Sequence, residues 1–178
     1  MKKFTFIALL SFLCLGFGFA NAQSVAHVNS QEILEALPAF QDAQAKIKKE
    51  ADRHQAEIQR QQKEIQALVE KGQKEMEALK GKSDAEKMKA LAPLEQELQT
   101  KSKALQEYQQ NAAKGVAKME SDLLAPVYKK VQIAIEEVGK KDNVGYIIDL
   151  ATAGQSGTIV YFGGGKDLTP QVKKQLGL

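Results

Sequence analysis

This chain has little cysteine, no tryptophan and few aromatics. Its 178 residues contain one cysteine, Cys14, and aromatics make up 6%. Cys14 lies in an N-terminal apolar stretch that reads as a leader, so a chain without that leader folds with no disulfide and no thiolate metal site. Charge of one sign is also missing. Taking Lys2 and Lys3 away with the leader reduces 25 basic residues to 23 against 22 acidic ones, a net charge of +1. That balance excludes the electrostatic footprint of a nucleic-acid binder. Beyond the leader, no apolar run is long enough to span a bilayer.

The leader has the three parts of a secretory signal. Lys2 and Lys3 form a basic start, Phe4 to Phe19 an apolar core, and Ala20-Asn21-Ala22 an A-x-A cleavage site. The apolar core is short for a membrane anchor, and the polar sequence from Gln23 onward supplies no stop-transfer pattern. A lipoprotein leader would need its cysteine after a small residue at the end of the core, whereas Cys14 follows Leu13 in the middle of it. Cleavage after Ala22 and export to the periplasm are expected.

The middle of the chain is made of strong helix formers. From Ala39 to Leu124 there are two aromatics (Phe40, Tyr108), one proline (Pro93) and three glycines (Gly72, Gly81, Gly115). Ala, Gln, Glu, Lys, Leu and Met supply nearly all the rest. Asn29 with Glu32 is a capping box for a short helix, Gln31 to Leu37, which Pro38 ends. A long helix from Ala39 to Lys80 follows, about 63 Å at 1.5 Å per residue. Gly81 is the helix stop, and Ser83 or Asp84 caps a second helix running to about Gly139.

The apolar positions predict that these helices pair antiparallel. The outgoing seam reads Ile47, Ala51, His54, Ile58, Gln61, Ile65, Leu68, Gly72, Met76, Leu79. On the return, Leu91, Leu98, Leu105, Ala112 and Met119 recur every seven residues, with Leu94, Tyr108, Val116 and Leu123 between them. This is a heptad seam. About a tip near residue 82, Ile65 should face Leu98, Met76 should face Met88, and Ile58 should face Leu105. A dimer of long straight helices would give the same heptads, but strand sequence on both flanks favours a hairpin. The seam is thin, since Ala51, His54, Gln61, Gly72 and Ala112 stand where a stable coiled coil carries Leu or Ile. Pro93 removes a backbone hydrogen bond in the returning helix and is expected to kink it.

Three strand-like runs flank the hairpin: Ser24 to Asn29, Val144 to Leu150, and Thr158 to Phe162. Tyr146, Ile148 and Leu150 share one face of the second run, the expected core face, and Ile147 and Asp149 the other. A last helix is expected to be capped by Thr169, with Pro170 in its first turn. The body comprises residues 23–38 and 125–178, with the arm between them at 39–124. So small a sheet is marginal alone and leaves open edges, so association between copies is expected.

The remaining motifs carry no chemistry. Gly163-Gly-Gly-Lys166 suggests a phosphate loop, but Val160 stands where the first glycine is required and Asp167 replaces the Ser/Thr, leaving a glycine-rich turn. His27 and His54 lie in different elements without companion ligands, so no metal site is expected. No serine or aspartate is grouped with a base for nucleophilic catalysis. Lysines outnumber acids near the tip, a mild basic surface that a solvated helix face also explains.

Taken in order, these segments resemble the Skp/OmpH family of periplasmic chaperones. The resemblance rests on a leader, the stretch Val25-Ala-His-Val-Asn-Ser-Gln-Glu-Ile-Leu34, a Lys/Gln/Glu hairpin, Tyr146-Ile-Ile-Asp149 and Asp167-Leu-Thr-Pro-Gln-Val172. It covers the whole exported chain, and it implies an α+β fold. In that fold a long antiparallel helical hairpin, the coiled-coil arm, projects from a small β-sheet body that a homotrimer closes into a barrel-like assembly. It also implies an ATP-independent holdase for unfolded outer-membrane proteins, with no catalytic residue, cofactor or nucleic acid. Pro93 and the modest charge depart from a family whose better-known members are strongly basic.

Residue roles follow as expectations. Met76, Leu79, Met88, Leu91, Lys80 and Lys82 of the arm should meet clients. Val25, Val28, Tyr146, Ile148, Leu150, Ile159 and Tyr161 should build the association body. Weak contact of the basic tip with anionic membrane or lipopolysaccharide is the lipid role such a charge allows. The alternative function is a coiled-coil spacer or adaptor of the cell envelope.

Overall fold

The computed structural model describes residues 24–154, 157, 159, 161 and 163–178. The expected leader lies outside the described residues. So do Thr158, Val160 and Phe162 of the expected third strand. The described chain divides into two compact units, residues 24–34 with 130–178, and residues 35–129.

The first unit is built on three parallel strands. β1 (Val25–Val28) lies between β2 (Tyr146–Asp149) and β3 (Lys166–Asp167). Ala26 pairs with Ile147 and Lys166, and His27 with Ile148 and Asp167. Parallel neighbours cannot be joined by a tight turn, so the chain has to make a long excursion between β1 and β2. Helix α1 (Ser30–Ala36) follows β1 directly. The Asn29 side chain accepts the Glu32 N–H at 3.2 Å, the expected cap.

β1 alternates as a half-buried strand should. Ala26 and Val28 are 1% exposed, whereas Val25 is 48% exposed. The register puts Ile147 and Asp149 on the buried side with Ala26 and Val28. Ile147 packs on helix α3 (Asp84–Lys141), where a Cβ added to Gly139 would stand 2.7 Å from Ile147 Cδ1. The inner face of β2 is therefore the Ile147 face. Tyr146 and Ile148, expected inside, lie on the outer face with Val25. Val131, Ala134 and Val138 of α3 are buried in this unit, as are Ile33, Leu168 and Val172.

Three further expectations are corrected by the fold. Asp149 ends β2 because its carboxylate caps the short helix α4 (Leu150–Ala153), accepting the Ala151 N–H at 3.1 Å. Leu150 is thus the first helical residue and not the last strand residue. Ile159 and Tyr161 belong to no strand, and the third strand is Lys166–Asp167. The last helix, α5 (Thr169–Leu176), takes Leu168 as its N-cap residue. Its first N–H groups are served from β3, since Asp167 accepts the Thr169 N–H at 2.9 Å. The Thr169 hydroxyl accepts the Asn29 N–H at 3.0 Å, holding the end of β1.

The second unit is an antiparallel helix pair. Helix α2 (Pro38–Ala78) has 41 residues with Pro38 in its first turn, and α3 has 58 residues. Gly81 adopts φ 87° at the turn, the left-handed conformation that glycine tolerates without strain. Ser83 and Glu86 form a reciprocal box: Glu86 accepts the Ser83 N–H at 3.0 Å, and the Ser83 hydroxyl accepts the Glu86 N–H at 3.4 Å. Two prolines, Pro93 and Pro126, lie inside α3, which is helical through both.

Candidate functional site

Two stretches of the helix pair differ in how their seam is filled. Nearer the chain ends, His54 of α2 meets Tyr108 of α3, with His54 Nδ1 2.8 Å from Tyr108 Oη and the rings edge-on at 5.5 Å. His54 Nε2 lies 3.2 Å from a Glu50 carboxylate oxygen. Arg53 hydrogen-bonds the same carboxylate and holds the Glu50 pKa below the usual carboxylate range. Further along, Lys101 of α3 reaches Glu64 of α2 at 3.1 Å. These links run in opposite order along the two helices, close to the expected register. A buried polar pair at a seam position costs stability and specifies alignment.

Toward the tip a groove opens between the helices. Gly72 has no side chain, and a Cβ there would stand 3.0 Å from Leu94 Cδ2. Met76, a seam position by its spacing, is 53% exposed, whereas Leu91 of α3 is 8% exposed. The two helices therefore enclose a groove of about 650 Å³ with an apolar floor. Leu68, Val69, Gly72 and Met76 line it from α2, and Leu91, Leu94 and Leu98 from α3. Lys80 and Lys87 stand at its rim, each already paired, Lys80 with Glu77 and Lys87 with Asp84 at 3.5 Å. Glu95 is also at the rim and has no charged partner among the described residues.

Of the six arm residues expected to meet clients, the structure gathers Met76, Lys80 and Leu91 in this groove. Leu79, Lys82 and Met88 are not part of its lining. Leu79 follows the last turn of α2, Lys82 lies in the tip turn, and Met88 is 74% exposed on α3. Val69 escapes a sequence reading because it lies off the seam spacing. Gly72 reads in sequence only as a weak packing position, although a glycine opposite leucines is the signal for close approach of a leucine side chain.

The residues expected to build the association body separate into two sets. Val25 and Tyr146 are 48% and 62% exposed and share the outer sheet face with Ile148. Val28 lies in the unit's own core. Tyr161 is 85% exposed, and its ring covers Gly163, where an added Cβ would come within 2.7 Å of Cε1. Ile159 is half-buried and Leu150 begins α4.

Among the described residues no cluster of side chains could hold a metal ion. No helix among them is long and apolar enough to cross a membrane. The family model described as Outer membrane protein (OmpH-like) matches residues 24–176. A crystal structure from Caulobacter crescentus CB15, described as a candidate outer membrane chaperone (OmpH-like), superposes with a TM-score of 0.60 at 19% identity, covering 90% of this chain and 88% of that one. At that identity the likeness is one of fold. No curated protein sequence matches the chain.

Proposed function

Because the chain belongs to the OmpH-like outer membrane protein family, we propose that it is an ATP-independent holdase for unfolded outer-membrane protein precursors in the periplasm. One observation carries this reading. The arm, residues 39–124, leaves large apolar side chains in water, Val69, Met76 and Met88, at 41%, 53% and 74% exposure. Exposed apolar surface on a stable helix pair is unfavourable unless a partner uses it.

In this mechanism the chaperone binds the unfolded precursor and lowers its free concentration, so aggregation is suppressed by mass action. Contacts are dispersed along the arm and no residue is catalytic. The outer sheet face of Val25, Tyr146 and Ile148 is the surface that a homotrimer would cover. Association there would also protect the short outer strands from uncontrolled pairing.

An aggregation assay with an unfolded barrel precursor tests the reading. The exported protein should suppress light scattering at stoichiometric amounts. A hairpin shortened by joining Gln61 to Ser102 through a short turn should keep the assembly and lose protection. Full protection by the shortened protein would overturn the arm mechanism, and no protection by the intact protein would favour an envelope spacer.

A further inference from the structure

We propose that the groove near the hairpin tip is a docking site for an apolar stretch of unfolded polypeptide flanked by uncharged or basic residues. This deepens the holdase reading and rests on it. Position, shape and charge each lead to it.

Position comes first. Between residues 39 and 124 the large apolar side chains that are exposed are Val69, Met76 and Met88, and all lie in the part of the hairpin nearest the tip. Two of them, Val69 and Met76, line the groove. Other apolar concavities lie further along the arm, at Met119 and Leu123 and at Ile58 and Val116. This groove is one of several dispersed contact sites, distinguished by the exposure of its apolar side chains.

Shape and chemistry agree. A groove of about 650 Å³ lies within the range of ligand sites, about 300–1,000 Å³. Its walls are helices whose backbone groups are already hydrogen-bonded, so no strand can be added to them and recognition has to come from side chains. Leucines supply a fixed floor, and Met76 at the mouth supplies an adaptable, polarizable side chain suited to many sequences.

Charge selects the occupant. The rim lysines, Lys80 and Lys87, are paired within the rim with Glu77 and Asp84. A phosphate or carboxylate entering here has to displace one of those pairs. The uncompensated rim charge is the carboxylate of Glu95. A lysine or arginine beside the apolar stretch gains an ion pair there, and an acidic neighbour is repelled. The groove thus favours polypeptide over an anionic lipid, whose acyl chain would suit the floor but whose head group would not suit the rim.

The test uses the full exported protein and fluorescence anisotropy with a labelled peptide alternating leucine and glutamine. One version ends in arginines and another in glutamates. The arginine-ended peptide should bind more tightly. Met76→Glu should weaken it by about tenfold, a change of about 1.4 kcal/mol. Gln110→Glu, exposed on α3 and outside the groove lining, should leave it unchanged. Glu95→Lys, at the solvated rim, should reverse the preference between the two peptides without perturbing the helix pair. Equal losses from Met76→Glu and Gln110→Glu would overturn the site, as would an unchanged preference in Glu95→Lys. Displacement of the arginine-ended peptide by phosphatidylglycerol vesicles would overturn the choice of occupant. Running the aggregation assay on the same variants separates the two proposals. A protein that protects precursors while Met76→Glu binds peptide normally retains the holdase function and loses this site.

Discussion

At the scale of single residues, two carboxylates tie the sheet together. Asp149 accepts both the Ser30 N–H at 3.0 Å and the Ser30 hydroxyl at 2.6 Å, joining the end of β2 to the start of α1. Asp167 joins β3 to α5, and hydrogen bonding from Thr169 lowers its pKa below the ordinary 3.8, against a smaller opposing effect of burial. His27 Nε2 stands 3.9 Å away. A carboxyl whose folded pKa lies below its unfolded one adds stability above the unfolded value, and that stability is lost as pH falls through the folded value. The contribution is small, since the Asp167 side chain is 52% exposed. Asp167→Asn should therefore lose less thermal stability than the parent between pH 5 and pH 2, which melting curves would show. An equal loss would mean that Asp167 does not couple β3 to pH.

At the scale of elements, the helix pair is aligned by polar links and packed by a thin apolar seam. Tyr108→Phe removes the hydroxyl facing His54 and leaves a half-buried ring nitrogen without that partner. The expected cost is about 1 kcal/mol, read as a lower urea midpoint at unchanged slope. An unchanged midpoint would show that the pair adds nothing to alignment. Pro93 belongs to the same scale. It lacks the N–H that an unbroken helix needs, and it lies beside the groove, where seam packing is poorest. Amides near residues 85–93 should exchange with solvent sooner than those near 112–123, where Ala112 is 6% exposed. Uniform protection along α3 would refute a weak point at Pro93.

At the scale of the whole molecule, the outer sheet face is the feature that the single chain leaves unexplained. Light scattering should give a trimer mass at micromolar concentration, and a folded monomer would sink the proposed closure of the sheet. Ile148→Asp should lower that mass while far-ultraviolet circular dichroism retains its helical signal. Ile147→Asp should instead unfold the sheet unit, because it places a charge against Gly139 and α3. Equivalent behaviour of the two variants would show that the sheet has no separate inner and outer faces.

What the sequence alone determined is the part governed by local chemistry. Helix formers, the Asn29–Glu32 and Ser83–Glu86 caps, the Gly81 stop and the heptad spacing act within a few residues. The helix pair, its turn and its approximate register are therefore legible in the order of the amino acids. Strands of four residues or fewer depend on partners distant in sequence. The run from Thr158 to Phe162 has the stronger β composition, yet Lys166–Asp167 takes the third position because Leu168 and Val172 then reach the core at 0% exposure. The face chosen by β2 is likewise set by Gly139, a glycine in a distant helix that admits Ile147. The groove arises in the same way. Gly72 and Leu94 are ordinary in sequence, and only their juxtaposition across two helices lets a leucine lie against bare backbone in the groove lining.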